Sequence, residues 1–343
     1  MDRVQNGVIQ SALDEFLQAK VPIQLGGLQD PFSPLDRNRR VTYELLQILR
    51  DHEYPTLIST KGDLFLDDDY WNILCEMDVY VRLSAAAVPE SKRKLIDAST
   101  GTFRNTCKKI KTLSEAGFPV SLRIQPVFPG FEESALRMAR QAAESGAQHV
   151  SFEYLKLGTE GLDRQCKTIS EILKTDIWNK MNERGMKRLG RDYTLRTEAK
   201  REFLIRAKQL CRELGIRFGA GDTEFIHLSD GRGCCNGSAY FLKSATQFRA
   251  NFVGLLSNRG KGSRVQFSDI FKEWHPTGNV HSYLTTDSRG RDMTGQYNSW
   301  VSLMAHRWNG GKGPYSPQFF YGIEWDGEYD DMGFKVYKVK SKI

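Results

Sequence analysis

The chain has 343 residues, 40% of them hydrophobic and 11% aromatic, which is enough apolar material to bury a large core in one big domain with an appendage. No apolar run approaches the roughly 20 residues of a spanning helix, and residues 1–20 carry acidic groups in place of a signal-type apolar block, so the chain reads as soluble and cytoplasmic with no membrane partner. The 49 Lys and Arg against 42 Asp and Glu leave +7, compatible with an anionic partner such as nucleic acid, and six cysteines are too sparse for a disulfide framework, which suits free thiols in a reducing compartment.

Residues 4–19 have the spacing of an amphipathic helix, with Val8, Ala12, Phe16 and Ala19 facing inward. Residues 21–25 form a short apolar strand, and residues 37–52 then carry Val41, Leu45, Ile48 and Leu49 at helical spacing. The unit repeats: a strand at 55–59, a short helix at 67–76, and a strand at 79–83. A helix at 102–116, with Cys107, Ile110 and Leu113 on one side, ends at Gly117 before a strand at 119–124. The helix Glu132–Glu144, with Ala135, Ala139 and Ala142 inward, leads to a fifth strand, His149–Tyr154.

Alternation with short connections and near-continuous apolar strands predicts parallel strands covered by helices, as a (β/α) barrel or a doubly wound sheet; the barrel is preferred here. Beyond residue 157 the rhythm changes to a long polar helical stretch at 163–184 and a two-faced helix at 194–214. In the latter Ala199, Phe203, Ala207, Leu210 and Leu214 form the inward seam, and Arg196, Lys200, Arg201, Lys208 and Arg212 lie largely outside it. Gly215 ends that helix and residues 216–219 form a sixth strand. The expected division is an α/β partial barrel over 1–220 and a less regular C-terminal region over 221–343, in which 319–325 and 334–339 pair around a turn at Asp326 and Gly327.

Four strand ends carry glycine-rich or polar groups: Gly26-Gly27-Leu28-Gln29-Asp30-Pro31, Ser59-Thr60-Lys61, Arg82-Leu83-Ser84 and Arg123-Ile124-Gln125-Pro126-Val127-Phe128-Pro129-Gly130. Glycines without a Cβ let a ligand approach the backbone, Lys61 offers a point charge for a carboxylate, and Ser84 offers a hydroxyl. Arg82 and Arg123 alternate with apolar residues and so point into the barrel, toward a ligand anion or toward Glu153 in a structural network. Pro126, Pro129 and Gly130 make a rigid turn into a helix N-terminus, suited to backbone contacts with a ligand or simply to joining strand and helix.

Taken in order over about residues 23–157, these motifs resemble the radical S-adenosylmethionine superfamily, and within it the spore photoproduct lyase-like, DNA repair photolyase-like branch. The resemblance implies a partial TIM-like barrel lacking its first strand. It implies that S-adenosyl-L-methionine is held by Gly26, Gly27, Asp30, Lys61, Arg82, Ser84, Arg123, Gln125, Pro129 and Gly130. In the intact family enzyme a [4Fe-4S] cluster cleaves that cofactor reductively to a 5′-deoxyadenosyl radical, which here would act on an unidentified substrate, nucleic acid being one candidate.

The chain departs from the family in two places. The Cys-x-x-x-Cys-x-x-Cys that holds the cluster is absent, and no two cysteines before residue 234 lie closer than 32 positions. A chain lacking its N-terminal end and a protein that has lost cluster chemistry both account for this. The second-strand end offers Leu28 and Gln29 where the photoproduct lyases have a hydrogen-donor cysteine, which argues against thymine-dimer reversal.

Three further features stand open. Cys234 and Cys235, in a glycine-flanked loop, suit an auxiliary metal or cluster with His227 or Cys211, or are two unligated thiols. The basic residues between 187 and 217, with Arg259, Lys261 and Arg264, suit a phosphate backbone or a solvated surface. Rival functions are a clusterless, nucleic-acid-binding module on the same fold, and a barrel lyase or aldolase with Lys61 as a Schiff-base lysine. Oligomeric state is not legible in the sequence.

Overall fold

The residues Ile58, Val81, Leu83, Val120, Leu122, Ile124, Val150, Phe152 and Phe218 recur at alternate positions of successive apolar segments, and all are essentially buried. Such alternation gives each strand one face for a helical layer and one face for the opposite side. A computed structural model, which describes residues 2–10, 12–97, 101–231, 235–257, 259–278, 299–310 and 316–340, has this arrangement. The strands β1 (Ile23–Leu25), β2 (Thr56–Thr60), β3 (Val79–Ala87), β4 (Val120–Val127) and β5 (His149–Tyr154) lie side by side in chain order, all parallel. A further parallel strand, Arg217–Ala220, completes the open six-stranded sheet beside β5. The molecule is thus an α/β partial barrel.

The register puts Ile58 beside Val81, Val81 beside Val120, Leu122 beside Val150 and Val150 beside Phe218, so the apolar row is continuous across the sheet. The opposite face runs Ser59, Arg82, Ser121 and His149, then Ser84, Arg123, Ser151 and Gly219, and is mostly polar, with Leu57 and Tyr80 packing against Leu242 farther from the rim. The helices that cover the apolar face include α4 (Val41–Asp51), α5 (Asp68–Cys75), α7 (Phe103–Glu115) and α8 (Glu132–Glu144). Thr102 caps α7 by accepting from the Asn105 amide, and glycines at positive φ follow α7 and α8 (Gly117 and Gly146).

Several expectations change. The N-terminal helix is two short pieces, α1 (Asp2–Gln5) and α2 (Ala12–Gln18), separated at Gly7; Val8 is exposed, and Phe16 packs edge-on against Phe248 and Trp274. The segment before α4 holds a separate turn of helix, α3 (Asp36–Arg39), ending at the left-handed Arg40. On α4 the buried face is Thr42, Leu46 and Leu49, whereas Val41, Leu45 and Ile48 point outward. A seven-residue α6 (Glu90–Ile96) follows β3.

The long polar helix breaks at Lys174, which has positive φ, into α9 (Leu162–Leu173) and α10 (Ile177–Glu183), the latter capped by Asp176. A small antiparallel sheet then joins β6 (Leu157–Gly158), β7 (Met186–Leu189) and β8 (Asp192–Leu195), with Gly190 at positive φ in the hairpin turn. It precedes α11 (Thr197–Glu213), and the sheet-completing strand is β9.

The C-terminal region is more regular than its sequence suggests. It has its own core around Trp308, Tyr337, Phe252, Phe267 and Trp300. After α12 (Ser238–Phe241) and α13 (Phe252–Leu256), the strands β10 (Arg264–Val265), β11 (Ile323–Tyr329) and β12 (Lys335–Val339) form an antiparallel sheet, with α14 (Trp300–Gly310) against it. The hairpin turns at Asp330–Gly333, where Asp330 accepts from the Met332 and Phe334 amides, not at Asp326 and Gly327, which lie within β11 at a register shift. Among the described residues no helix is long and apolar enough to cross a membrane.

Candidate active site

Parallel strands bring their C-terminal ends to one rim, where residues 26–31, Lys61 and residues 129–130 lie, whereas Arg82 and Ser84 stand within β3 and Arg123 within β4. Gly26 has φ 87°, and a Cβ on it would fall 1.9 Å from the Ser59 carbonyl oxygen, so the close approach it permits is to β2 itself and not to a ligand. Gly27 differs: it is exposed, and a Cβ there would meet only Gln24 Nε2 at 3.7 Å. Leu28 and Gln29, which follow it, are exposed.

Asp30 is committed inside the protein. Its carboxylate accepts from Thr60 Oγ1 (2.6 Å), the Lys61 amide (2.7 Å), the Phe32 amide (3.0 Å) and the Gly62 amide (3.1 Å), clamping the β1 loop onto the end of β2. Lys61 turns its ammonium to the Asp97 carboxylate just beyond α6, and its side chain keeps 35% exposure. Lys109 of α7 supports the same loop from beneath by donating to the Lys61 carbonyl at 2.8 Å and pairing with Asp63 at 2.6 Å. Asp97 and Lys109 carry no local sequence signal, because each meets its partner across dozens of residues.

Arg82 is buried and donates from Nε to Ser59 Oγ at 3.0 Å. Ser84, next on the same face, is half-buried beside Arg123 in register. Arg123 pairs with Glu153 at 2.7 Å, and Lys156 reaches the other carboxylate oxygen, which realises the structural network for this arginine. Gln125, half-buried, precedes Pro126 through a cis peptide bond. Pro129 is buried; Gly130 is exposed, and its amide is taken by Glu132 at 2.8 Å. A groove of about 530 Å³ opens there, with Gly130, Glu132, Tyr154, Arg184 and Phe203 in its walls. Burial, then the neighbouring Glu132, pushes the Tyr154 hydroxyl pKa up, so it stays a neutral donor to Glu132.

The far end of the rim holds a cluster the sequence reading missed. Lys200, placed on the outer side of its helix by its spacing, is fully buried and pairs with Asp222 at 2.6 Å and Glu224 at 3.2 Å. Asp222 also accepts the Tyr154 amide at 3.0 Å. Burial raises the Asp222 pKa against the pull of Lys200, while Glu224, also buried, is held below its ordinary value by Lys200 and Lys187.

Of the other basic residues in these stretches, Lys187 pairs with Glu224, Arg206 with Glu133, Arg259 with Asp269, and Arg264 with Asp326 and Glu328. On the polar inner face, away from the rim, His149, Ser121 and Ser151 are buried with ring nitrogens and hydroxyls that have no hydrogen-bond partner among the described residues. Burial, then Arg82, lowers the His149 pKa to about 3.

Among the described residues the candidate donors of the auxiliary metal site do not form a group. Cys234 lies outside the described residues. The Cys235 carbonyl packs near His149, over Gly219, where a Cβ would meet them at 2.2 and 2.8 Å. His227 instead contacts the Tyr321 carbonyl at 3.0 Å, and Cys211 is buried in α11 with its thiol pushed up to about 12 by burial. Cys75, Cys107 and Cys166 sit on α5, α7 and α9. Among the described residues no three His, Cys, Asp or Glu side chains form a metal-holding group, so they do not fit a [4Fe-4S] cluster. Gly27, the ammonium of Lys61 and the hydroxyl of Ser84 do fit parts of S-adenosylmethionine: open backbone, a carboxylate partner and a hydroxyl partner.

No family model and no curated protein matches the chain. Solved structures do. The chain is similar to spore photoproduct lyase. A double mutant of that enzyme with bound AdoMet and dinucleoside spore photoproduct matches at 15% identity and TM-score 0.42, over 60% of this chain and 65% of that one. A spore photoproduct lyase complexed with dinucleoside spore photoproduct gives 16%, TM-score 0.41 and the same coverage, so the chain spans 65% of the length of these structures. Streptococcus suis SuiB bound to S-adenosylmethionine matches at 16% identity and TM-score 0.32, over 48% of this chain and 41% of that one.

Proposed function

We propose that the chain binds S-adenosylmethionine along the C-terminal ends of β1, β2 and β3, as a partial barrel of radical S-adenosylmethionine type akin to the spore photoproduct lyase-like branch. The observation that carries this reading is the juxtaposition of Gly27, Lys61 and Ser84 toward the ends of three adjacent parallel strands, in the order of the resembling motifs. In such enzymes the cofactor supplies a carbon-centred radical for hydrogen abstraction. This chain's own residues bind and orient: Lys61 takes the carboxylate in exchange for Asp97, Ser84 donates to a hydroxyl, Gly27 leaves backbone open, and Asp30 fixes the loop that carries Gly27. An ammonium paired with a carboxylate has no lone pair for a carbonyl, which disfavours the Schiff-base reading of Lys61.

The net charge of +7 suits an anionic substrate such as nucleic acid. A second reading is a binding module without cluster chemistry, which the wide cysteine spacing of the given sequence permits. Calorimetry separates these ideas from an unrelated fold. The chain should bind S-adenosylmethionine, and Lys61→Ala should weaken binding about tenfold, the loss expected for one charge-assisted contact. Unchanged affinity in a folded Lys61→Ala chain would sink the assignment.

A further inference from the structure

A pocket of about 480 Å³ in the C-terminal region has Tyr240, Arg249, Arg259, Asp269, Lys272 and Glu273 in its walls. It lies away from the strand rim. Tyr240 belongs to α12, and the Arg217 guanidinium stands 4.2 Å over its ring. Arg217 is the first residue of β9, so the pocket borders the N-terminal ends of the parallel strands, opposite the rim.

The backbone around Arg249 is fixed from several sides. Phe248 packs edge-on against Phe16, Trp274 and Trp300, and the Ala250 carbonyl accepts from Trp300 Nε1 at 2.6 Å. The Arg249 carbonyl accepts from the Asn251 amide at 2.7 Å. A Cβ on Gly254 of α13 would fall 2.3 Å from that carbonyl oxygen, so the glycine lets Arg249 lie against the helix. The side chain is the opposite. Its Nε is buried with no hydrogen-bond acceptor among the described residues, and the guanidinium makes no ion pair among them. An unpaired buried donor is costly, and a held backbone that presents one to a pocket is preorganised for a ligand's oxygens.

The other cations of the wall are only half neutralised. Asp269 pairs with both Arg259 at 3.0 Å and Lys272 at 2.6 Å, and it also accepts the Gln266 amide. Glu273, on the same wall, pairs with none of the three cations among the described residues. Arg249, Arg259 and Lys272 thus outweigh Asp269 and Glu273 by one charge.

We propose that this pocket binds the phosphate group of a small organic phosphate, with Arg249 donating to the phosphate oxygens. Arg259 and Lys272 add their field, and the organic part lies against Tyr240 and Leu255. The guanidinium fork matches phosphate geometry, and a dianion uses the surplus charge better than a carboxylate does. The site is independent of S-adenosylmethionine binding at the rim.

Calorimetry with phenyl phosphate and benzoate on the full 343-residue chain tests this. At about pH 7.5 a phosphomonoester is mostly dianionic. Phenyl phosphate should bind with a dissociation constant of about 0.1–1 mM, and benzoate should bind at least about tenfold more weakly. Arg249→Gln should weaken phenyl phosphate about tenfold with unchanged circular dichroism, since its side chain holds nothing else in the chain. Glu273→Gln removes a like charge and should tighten binding about threefold, which reads the pocket without touching Arg249. Lys111→Gln, at an exposed position outside the pocket, should change nothing. No binding of phenyl phosphate overturns the proposal, as does benzoate binding equally well. So does weaker binding in Glu273→Gln, or a loss in Lys111→Gln as large as that in Arg249→Gln.

Discussion

The two ends of the strand rim hold their charges differently. At the β1–β2 end, Lys61 pairs with Asp97 while both side chains stay partly exposed, at 35 and 21%. At the β5–β9 end, Lys200 sits between Asp222 and Glu224 with all three at 0 or 1%. An exposed pair contributes little to stability and exchanges readily for a ligand's carboxylate; a buried cluster cannot exchange without stranding a charge. The difference supports the proposal of binding at the first end and leaves the second to join α11 to the barrel. It also explains why Arg123, equally plausible from sequence as a ligand contact, is tied to Glu153 beside the buried end.

The largest expected effect breaks that comparison directly. Lys200→Met leaves buried Asp222 without its cation and Glu224 with only Lys187 at 3.5 Å, and should cost about 3–5 kcal/mol. Lys61→Ala, at the open end, should cost under about 1 kcal/mol. Urea denaturation of both variants measures the contrast, and equal losses would remove the distinction between the two ends.

Legibility in the sequence follows the same division. Elements fixed by local periodicity were readable: His149–Tyr154 and Glu132–Glu144 occupy the residues their patterns predict, and the parallel order follows from strand–helix alternation. Groups fixed by distant partners were not. Lys200 flanks an apolar seam and reads as solvated until Asp222 and Glu224, 22 and 24 residues on, fold over it. Asp97 is 36 residues from Lys61. On α4 the pattern left the core face open for another reason: periodicity locates an apolar face but does not say which of two faces meets the core, and here Leu46 and Leu49 take it. The short hairpin of β7 and β8 lacks strong alternation and is set by Gly190.

A smaller effect sharpens the reading of the open end, where two adjacent glycines do different work. Gly26→Ala places a methyl 1.9 Å from a backbone carbonyl at φ 87°. Neither can yield without moving β1 from β2, and a cost of roughly 2–3 kcal/mol follows from strain plus overpacking. Gly27→Ala meets nothing closer than 3.7 Å, so stability should stay within about 0.5 kcal/mol of the unaltered chain. If Gly27 faces the cofactor, that same substitution weakens S-adenosylmethionine binding while Gly26→Ala acts through the fold. Thermal denaturation paired with calorimetry on the two variants distinguishes them; a Gly26→Ala chain as stable as Gly27→Ala would contradict the packing described.

The smallest effect within a working pH range concerns the inner face between the two ends. His149 is fully buried with neither ring nitrogen partnered, and burial followed by Arg82 lowers its pKa to about 3. Unfolded, the imidazole titrates at about 6.5, so between these values the unfolded chain binds the extra proton. Stability from this group is therefore full above pH 6.5 and is lost as pH falls toward 3, at up to about 1.4 kcal/mol per unit. Glu224, also lowered, adds a loss of the same sign at more acid pH, so the histidine must be isolated by substitution. His149→Leu removes the proton site and replaces two unsatisfied nitrogens with apolar atoms, which should be near neutral at pH 7. Urea denaturation of both chains at pH 7, 6 and 5 should give curves that meet at pH 7 and diverge by about 2 kcal/mol at pH 5, the unaltered chain being the less stable. Parallel curves would mean that His149 keeps its proton in the folded chain, paired through Ser121, Ser151 or water, and that the inner face is hydrated and not dry.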